Sequence, residues 1–183
     1  MPINRKQLDP KILHELLEVN FNTGELVWKE RGIHWFIPTK QRTAECQCKW
    51  WNNRFAGKQA GSYNREYLRL SILNMNFEAH RIIYVMYHNK WPELIDHIDG
   101  NPSNNCIDNL REVTYAGNAR NQKKYKNNTS GCVGVKKHEG KWQAQIGTTP
   151  RHYLGSYDDY FEAVSARKSA ENKHNYHVNH GRA

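Results

Sequence analysis

No run of apolar residues in this 183-residue chain approaches the ~20 needed to cross a bilayer. The longest, Ile82 to Tyr87, lies between Arg81 and His88. The opening MPINRKQLDP lacks the apolar stretch of a signal peptide, so secretion and membrane residence are disfavoured. Cysteine is scarce. Cys46 and Cys48 form a C-x-C, and Cys106 and Cys132 stand alone. A structural zinc site needs two wider pairs, or one such pair with spaced histidines. No structural zinc is therefore expected, and the thiols read as free in a reducing, cytoplasmic compartment. Acidic charge is in deficit, 18 Asp+Glu against 27 Lys+Arg, for a net +9, which disfavours an acidic interaction tail. Disorder is disfavoured too: mean hydropathy is −0.93, yet aromatics make up 11% of the chain. There is no repeat, no low-complexity tract and no heptad that would declare an obligate protein partner.

The positive charge is uneven. Residues 1–122 carry 16 basic and 13 acidic groups, whereas residues 123–183 carry 11 and 5. Between them the basic, turn-rich run from Lys123 to Gly131 reads as a linker, dividing the chain into domains 1–124 and 125–183. Asp9-Pro10 followed by Ile12, Leu13, Leu16 and Leu17 predicts a short helix with Asp9 as its cap. Glu25 to Lys29 predicts a strand after an Asn22-Thr23-Gly24 turn. Residues 33–55 show no period and read as an inserted loop that packs locally or touches a partner. Tyr67 to Ile72 alternates as a strand, a turn is expected at Asn74-Met75-Asn76, and Ala79 to Lys90 has helical spacing. Three strands, Cys132 to Lys136, Trp142 to Ile146 and Arg151 to Gly155, are expected next, with turns at Glu139-Gly140 and Thr148-Thr149-Pro150. A helix from Tyr160 to Lys173 follows, its apolar face set by Phe161, Ala163, Val164, Ala166 and Ala170.

The densest chemistry lies between Ile95 and Asn121. A short strand should end at Asp96-His97, a polar loop should follow, and a second strand should cover Leu110 to Thr114. A helix from Thr114 would then carry Asn118 back toward the first strand. Asp and Asn oxygens are hard ligands suited to Mg²⁺, and a neighbouring neutral imidazole can take a proton from water attacking a phosphodiester. A lone His beside two Asp is more often a surface or satisfied residue. Here Asp96-His97-Ile98-Asp99-Gly100-Asn101 is followed by Asn104-Asn105 and then Asn109-Leu110-Arg111-Glu112-Val113-Thr114.

In these residues the chain resembles the HNH nucleases of the ββα-metal fold, and more narrowly the HNH homing endonucleases of phages and mobile introns. The likeness extends upstream to Ala79-His80-Arg81 and to the stretch from Asn22-Thr23-Gly24-Glu25-Leu26 to Trp28. Downstream, Asn128 to Gly131, Val133-Gly134-Val135, Lys141 to Ala144 and Leu154 to Tyr157 resemble the AP2-like DNA-binding domain often fused to such nucleases. Residues 33–55 match neither.

The resemblance implies an α+β chain: an N-terminal ββα-metal nuclease domain, then an AP2-like three-stranded antiparallel sheet with one helix. It implies His97 as general base, Asp96 and Asn118 as ligands of Mg²⁺ (Mn²⁺ as substitute), and Asn109 as brace of the loop. Asn118 stands where another member has His, which makes the site more Mg²⁺-like. Asp99, Asn101 and Asn105 read as loop formers. His80 resembles the family's upstream His, with packing inside its helix as the alternative.

The implied partner is double-stranded DNA. Lys136, Lys141, Trp142, Arg151 and Tyr153 are the sheet's candidate contacts, Trp142 having a core role as its alternative. Arg81 and Arg111 complete the set, unless they are ordinary solvated charges. His174, His177 and His180 read as part of a frayed tail. The reading is a DNA endonuclease, nicking or double-strand cutting. The alternatives are a non-catalytic DNA-binding regulator and, third, an RNA-binding or RNA-cutting protein.

Overall fold

The computed structural model describes residues 8–147 and 150–182. Residues 1–7, on which much of the signal-peptide reading rests, and Thr148 and Thr149 of the expected turn lie outside the described residues. Among the described residues the chain is α+β, with several small antiparallel sheets and five α-helices. None of these helices is long and apolar enough to cross a membrane. All four cysteines are free thiols. The chain forms two compact units, Met1–Glu112 and Val113–Ala183.

In the first unit, α1 (Pro10–Leu16) starts at its cap: the Lys11 amide donates to the Asp9 carboxylate at 2.8 Å. Leu17 fits the helical spacing but opens β1 (Leu17–Asn20) instead, because pairing with β2 (Glu25–Trp28) sets it opposite Trp28, and both are buried. Residues 33–55 are not a loop throughout. They hold α2 (Ala44–Phe55), whose first turn is capped where the Cys46 amide donates to the Thr43 hydroxyl at 3.3 Å. None of its residues is fully buried, so no apolar stripe betrays it. It rests on the core through Trp51, which meets Trp28 edge-on at 5.7 Å, and through Phe55.

β3 (Ser62–Asn64), β4 (Tyr67–Ile72) and β5 (Met75–Glu78) form an antiparallel meander. Leu68, Leu70 and Ile72 of β4 point into the core, and Tyr67, Arg69 and Ser71 point away from it. The hairpin turn is Leu73-Asn74, one residue earlier than expected, with Met75 already paired to Ile72. Both turn residues have positive φ, 49° and 61°, the twist a two-residue hairpin requires. α3 (Ala79–His88) is buried on almost every side. Ile82, Ile83 and Val85 are fully enclosed, and burying each such side chain contributes about 1.5–3 kcal/mol. Asn89, in the left-handed region, ends this helix before Trp91-Pro92. β6 (Ile95–His97) and β7 (Leu110–Glu112) then pair antiparallel.

The second unit opens with α4 (Tyr115–Ala119), capped by Thr114, whose hydroxyl accepts the Gly117 amide at 3.1 Å. Its sheet runs β10-β9-β8 from β8 (Val135–His138), β9 (Lys141–Ile146) and β10 (His152–Tyr157). α5 (Tyr160–Lys173) covers one face, over a small core of Cys132, Val135, Ala144 and Ala163. Phe161 is not part of that face. At 75% exposure it points to solvent, because the helix turns Ala163 and Ala170 to the sheet instead. The chain end does not fray either. Gly181 donates to the Gln122 carbonyl, Lys124 to that of Arg182, and His180 is buried beside the Arg167–Glu171 ion pair. The run read as a linker is thus tied at its start to the C-terminal residues.

Candidate active site

β6 and β7 place Asp96 opposite Arg111 and His97 opposite Leu110. All three residues of β6 are buried. The Arg111 guanidinium grips one Asp96 oxygen, Oδ2, from Nε at 3.2 Å and from Nη2 at 2.8 Å. Arg111 therefore serves the carboxylate directly, while Arg81 donates to the Pro92 carbonyl at 2.7 Å and to that of Glu93.

The loop between the strands is built on Asp99 and Asn109. Asn109 accepts the Asp99 amide at 3.0 Å and donates to the Asp99 carboxylate at 3.0 Å and to the Asn104 carbonyl at 2.8 Å. Asn104 Nδ2 and the Asn101 amide donate to the same carboxylate, both at 2.7 Å. Burial pushes the Asp99 carboxyl up. The bonds from Asn101, Asn104 and Asn109, with the charge of His97, outweigh it and leave the group below its ordinary value. Gly100, at φ 71°, lets the chain turn back, and its amide donates to the His97 carbonyl.

Asn105 is more than a loop former. It is 3% exposed, and its Oδ1 lies 3.2 Å from His97 Nε2. An amide oxygen only accepts, so in the tautomer that makes this bond Nε2 carries the hydrogen. His80 and Tyr67 complete the surroundings. The His80 ring meets that of His97 edge-on at 5.0 Å, and Tyr67 stands 6.3 Å from His97 and 5.9 Å from His80. The alternation of β4 marks Tyr67 only as an outward residue. The part played by Asn105 carries no signal beyond its place in the Asn104-Asn105 pair.

Burial first, and then the neighbouring His97 and Arg81, together push the His80 imidazole down to about 3. Glu78 Oε2, 3.5 Å from Nε2, does not offset this. His80 is therefore neutral in the folded chain at every pH above about 3, whereas the unfolded chain protonates it near 6.5. Its contribution is complete above pH 6.5 and is lost as the pH falls from there toward 3, at about 1.4 kcal/mol per pH unit. Urea unfolding at pH 7 and pH 5 measures this. His80→Gln should cut the acid-induced loss of stability by roughly 2 kcal/mol relative to wild type.

Asn118 lies half-buried in α4 of the second unit, its amide donating to the Thr114 carbonyl at 2.9 Å. In the second unit's sheet, register puts Lys136 and Tyr153 opposite Gln143 and Gln145 on the face away from α5, where Lys136, Lys141 and Tyr153 are exposed. Arg151 is exposed just before β10. Trp142 turns the other way and packs edge-on against Tyr160 at 4.8 Å.

Residues 77–120 match the HNH endonuclease family. The chain carries an HNH endonuclease domain there. Over 73 residues it is 37% identical to Protein 3.8 of Escherichia phage T7, covering 39% of this chain and 60% of that protein. The chain thus spans less than two thirds of the length of the relative it matches. No solved structure matches.

HNH nucleases typically depend on a divalent metal ion. Among the described residues no group of three or more His, Cys, Asp or Glu could hold one. A resident ion would instead rest on the Asp96 carboxylate and amide oxygens, with water and phosphate filling its remaining positions. That donor set fits a hard, strongly hydrated cation such as Mg²⁺.

Proposed function

We propose that the protein is an Mg²⁺-dependent, homing-type DNA endonuclease that hydrolyses phosphodiester bonds to leave 5′-phosphate and 3′-hydroxyl ends. The observation that carries this reading is the buried His97 imidazole, held through Nε2 by Asn105 beside Asp96, within the HNH domain. In this reading His97 accepts the proton of the attacking water at Nδ1, and Asn105 keeps the ring in the required tautomer. Asn109 holds the loop that carries Asn105, through its bonds to Asp99 and Asn104. Asp96 and Asn118 are the proposed ligands, and Arg111 orients the Asp96 carboxylate. The bound ion would supply charge neutralisation at the scissile phosphate and at the leaving 3′ oxygen.

The second unit's sheet is proposed as an AP2-like DNA-binding element, supported by its exposed face of Lys136, Lys141 and Tyr153 and by the basic excess after residue 122. If about five phosphates are contacted, log K should fall with log salt at a slope of about −4.5. Lys136→Ala should weaken binding to all DNA sequences alike and lower that slope by about 1, as read by fluorescence anisotropy across a salt series.

The test of the function is cleavage of supercoiled DNA carrying the gene's own neighbourhood, with and without Mg²⁺. Conversion to open circles or linear DNA only with the metal supports the reading. Salt-sensitive binding without cutting, in Mn²⁺ as well, would favour a non-catalytic DNA-binding regulator.

A further inference from the structure

Residues 28–55, upstream of the matched HNH segment, build a groove of about 700 Å³ against the β4–β5 turn. That volume lies within the ~300–1,000 Å³ usual for small-ligand sites. Its walls are aromatic: Trp28, Trp35, Phe36 and Trp51 line it, with Leu73 at one edge. Among the described residues that line it, Arg31 alone is charged.

The Arg31 guanidinium lies 3.8 Å from the centre of the Trp51 ring and 5.1 Å from that of Trp28. Its Nε–H is buried and meets no acceptor among the described residues. Burial lowers its pKa from the ordinary value. The backbone of this residue is nonetheless pinned on both sides. Its amide donates to Asn52 Oδ1 at 2.9 Å, and its carbonyl accepts from Asn52 Nδ2 at 3.0 Å and from Cys48 Sγ at 3.2 Å. Three bonds to α2 thus fix a cation whose charge is stacked but not neutralised. Trp35 is held in the same way, its indole N–H donating to Glu15 at 2.8 Å.

An aromatic wall beside an unneutralised guanidinium is the chemistry of a nucleotide site: the ring face takes a base and the fork of N–H donors takes a phosphate. The segment that builds the groove is mainly basic, with Glu15 the carboxylate on Trp35. From Arg31 to Lys58 the chain has six basic residues and one acidic. On the outer side of α2 the exposed Trp50 is flanked by Arg42 at 5.9 Å and Arg54 at 5.4 Å. Bases inside a duplex hide their faces, so an aromatic groove of this kind selects an unpaired strand.

We propose that this groove is a second nucleic-acid site, which binds an unpaired DNA nucleotide with its base against the Trp35 and Phe36 wall and its phosphate on Arg31. It is separate from the cleavage centre. Tyr67 lies beside His97 at one end of β4 and Leu73 lies at the other, six residues or ~20 Å along the strand. On duplex DNA that spacing corresponds to about six base-pair steps. The proposal rests on the nuclease reading only for its choice of DNA.

The experiment is tryptophan fluorescence of the full chain in EDTA, titrated with single-stranded oligothymidylate, with a blunt duplex of equal length and with polyglutamate. Oligothymidylate should quench and saturate, and the other two should bind far more weakly at this site. Arg31→Gln and Trp35→Ala should each weaken oligothymidylate binding roughly 5- to 150-fold. Arg31→Lys, which keeps the charge and loses the planar fork, should fall between. No quenching by oligothymidylate, equal response to polyglutamate, or unchanged affinity in both Arg31→Gln and Trp35→Ala would overturn the proposal. Should either variant unfold, photocrosslinking of 5-iodouracil oligonucleotides to the wild type decides: adducts at Trp35 or Trp51 support the site, and adducts only elsewhere refute it. Cleavage of supercoiled DNA is scored separately. Cutting without Arg31-dependent binding removes this inference alone, and Arg31-dependent binding without cutting removes the nuclease reading alone.

Discussion

His97→Ala should abolish metal-dependent cleavage while leaving DNA affinity nearly intact. A positioned general base accelerates proton transfer by about 10²–10⁴-fold, and that is the loss expected in single-turnover cleavage of supercoiled DNA. Affinity should survive, because His97 is 6% exposed and the proposed phosphate contacts are Lys and Arg side chains elsewhere on the chain. The substitution also strips Asn105 Oδ1 of its imidazole partner and opens space beside His80. An orphaned buried polar group costs about 1–3 kcal/mol, so thermal unfolding must accompany the assay to show that the variant is folded. A second variant separates the two roles. Asn105→Leu keeps the imidazole but removes the acceptor that sets its tautomer, and it should also cut poorly. A His97→Ala protein that cuts at the wild-type rate would refute the assignment of the base.

How legible was this site in the sequence? The strand ending at Asp96-His97 and the return strand from Leu110 are both found, because Leu110 and Ile95 supply the apolar ends of a short buried hairpin. The loop's polar letters were equally plain. Asn and Asp fold a loop onto itself, and Asp99, Asn101, Asn104 and Asn109 do so here. What the letters could not give is which amide turns inward. Asn104 and Asn105 are adjacent and chemically identical, yet the first clamps Asp99 and the second reaches His97. That difference is set by the turn's dihedral angles and not by residue type.

α2 escaped for another reason. Periodicity detects a helix through the face it buries, and α2 buries no residue fully. Its stability comes from the Thr43 cap, from Trp51 against Trp28, and from Asn52 bonding to the Arg31 backbone. Those partners lie ten or more residues away along the chain in two cases of three, where a local window cannot see them. The chain end was misread similarly. Polar, histidine-rich residues normally fray, and the bonds from Gly181 and Arg182 to residues 121 and 122 have no local signature.

Gly24→Ala should be among the most damaging single methyls in the first unit, although it lies far from His97 in sequence. Gly24 has φ +73°, in the left-handed region, where any side chain is strained. A Cβ there would stand 2.4 Å from the backbone carbon of Asn105 and 2.6 Å from its carbonyl oxygen. Backbone cannot swing aside as the end of a flexible side chain can. The Asn105 segment is also fixed next door, where the Ile107 amide donates to the Phe21 carbonyl at 2.9 Å. The strained φ costs about 1–2 kcal/mol and the overpacking about 1–3 more. Together these take a large part of the 5–15 kcal/mol that stabilises an ordinary domain. The methyl also pushes on the residue that holds the imidazole. A displacement of about 1 Å in a catalytic group costs on the order of 10²-fold in rate, so cleavage should fall even in the molecules that remain folded. Gly57→Ala is the matched control: its φ is +72°, but a Cβ there meets nothing within 4 Å. Both variants carry the same conformational strain, and only Gly24→Ala carries the collision. Urea unfolding and single-turnover cleavage should therefore show a small, purely thermodynamic loss for Gly57→Ala and losses in both measurements for Gly24→Ala. Equal losses in the two variants would mean that the loop yields to the methyl and that the grip of Asn105 on His97 does not depend on the β1–β2 turn.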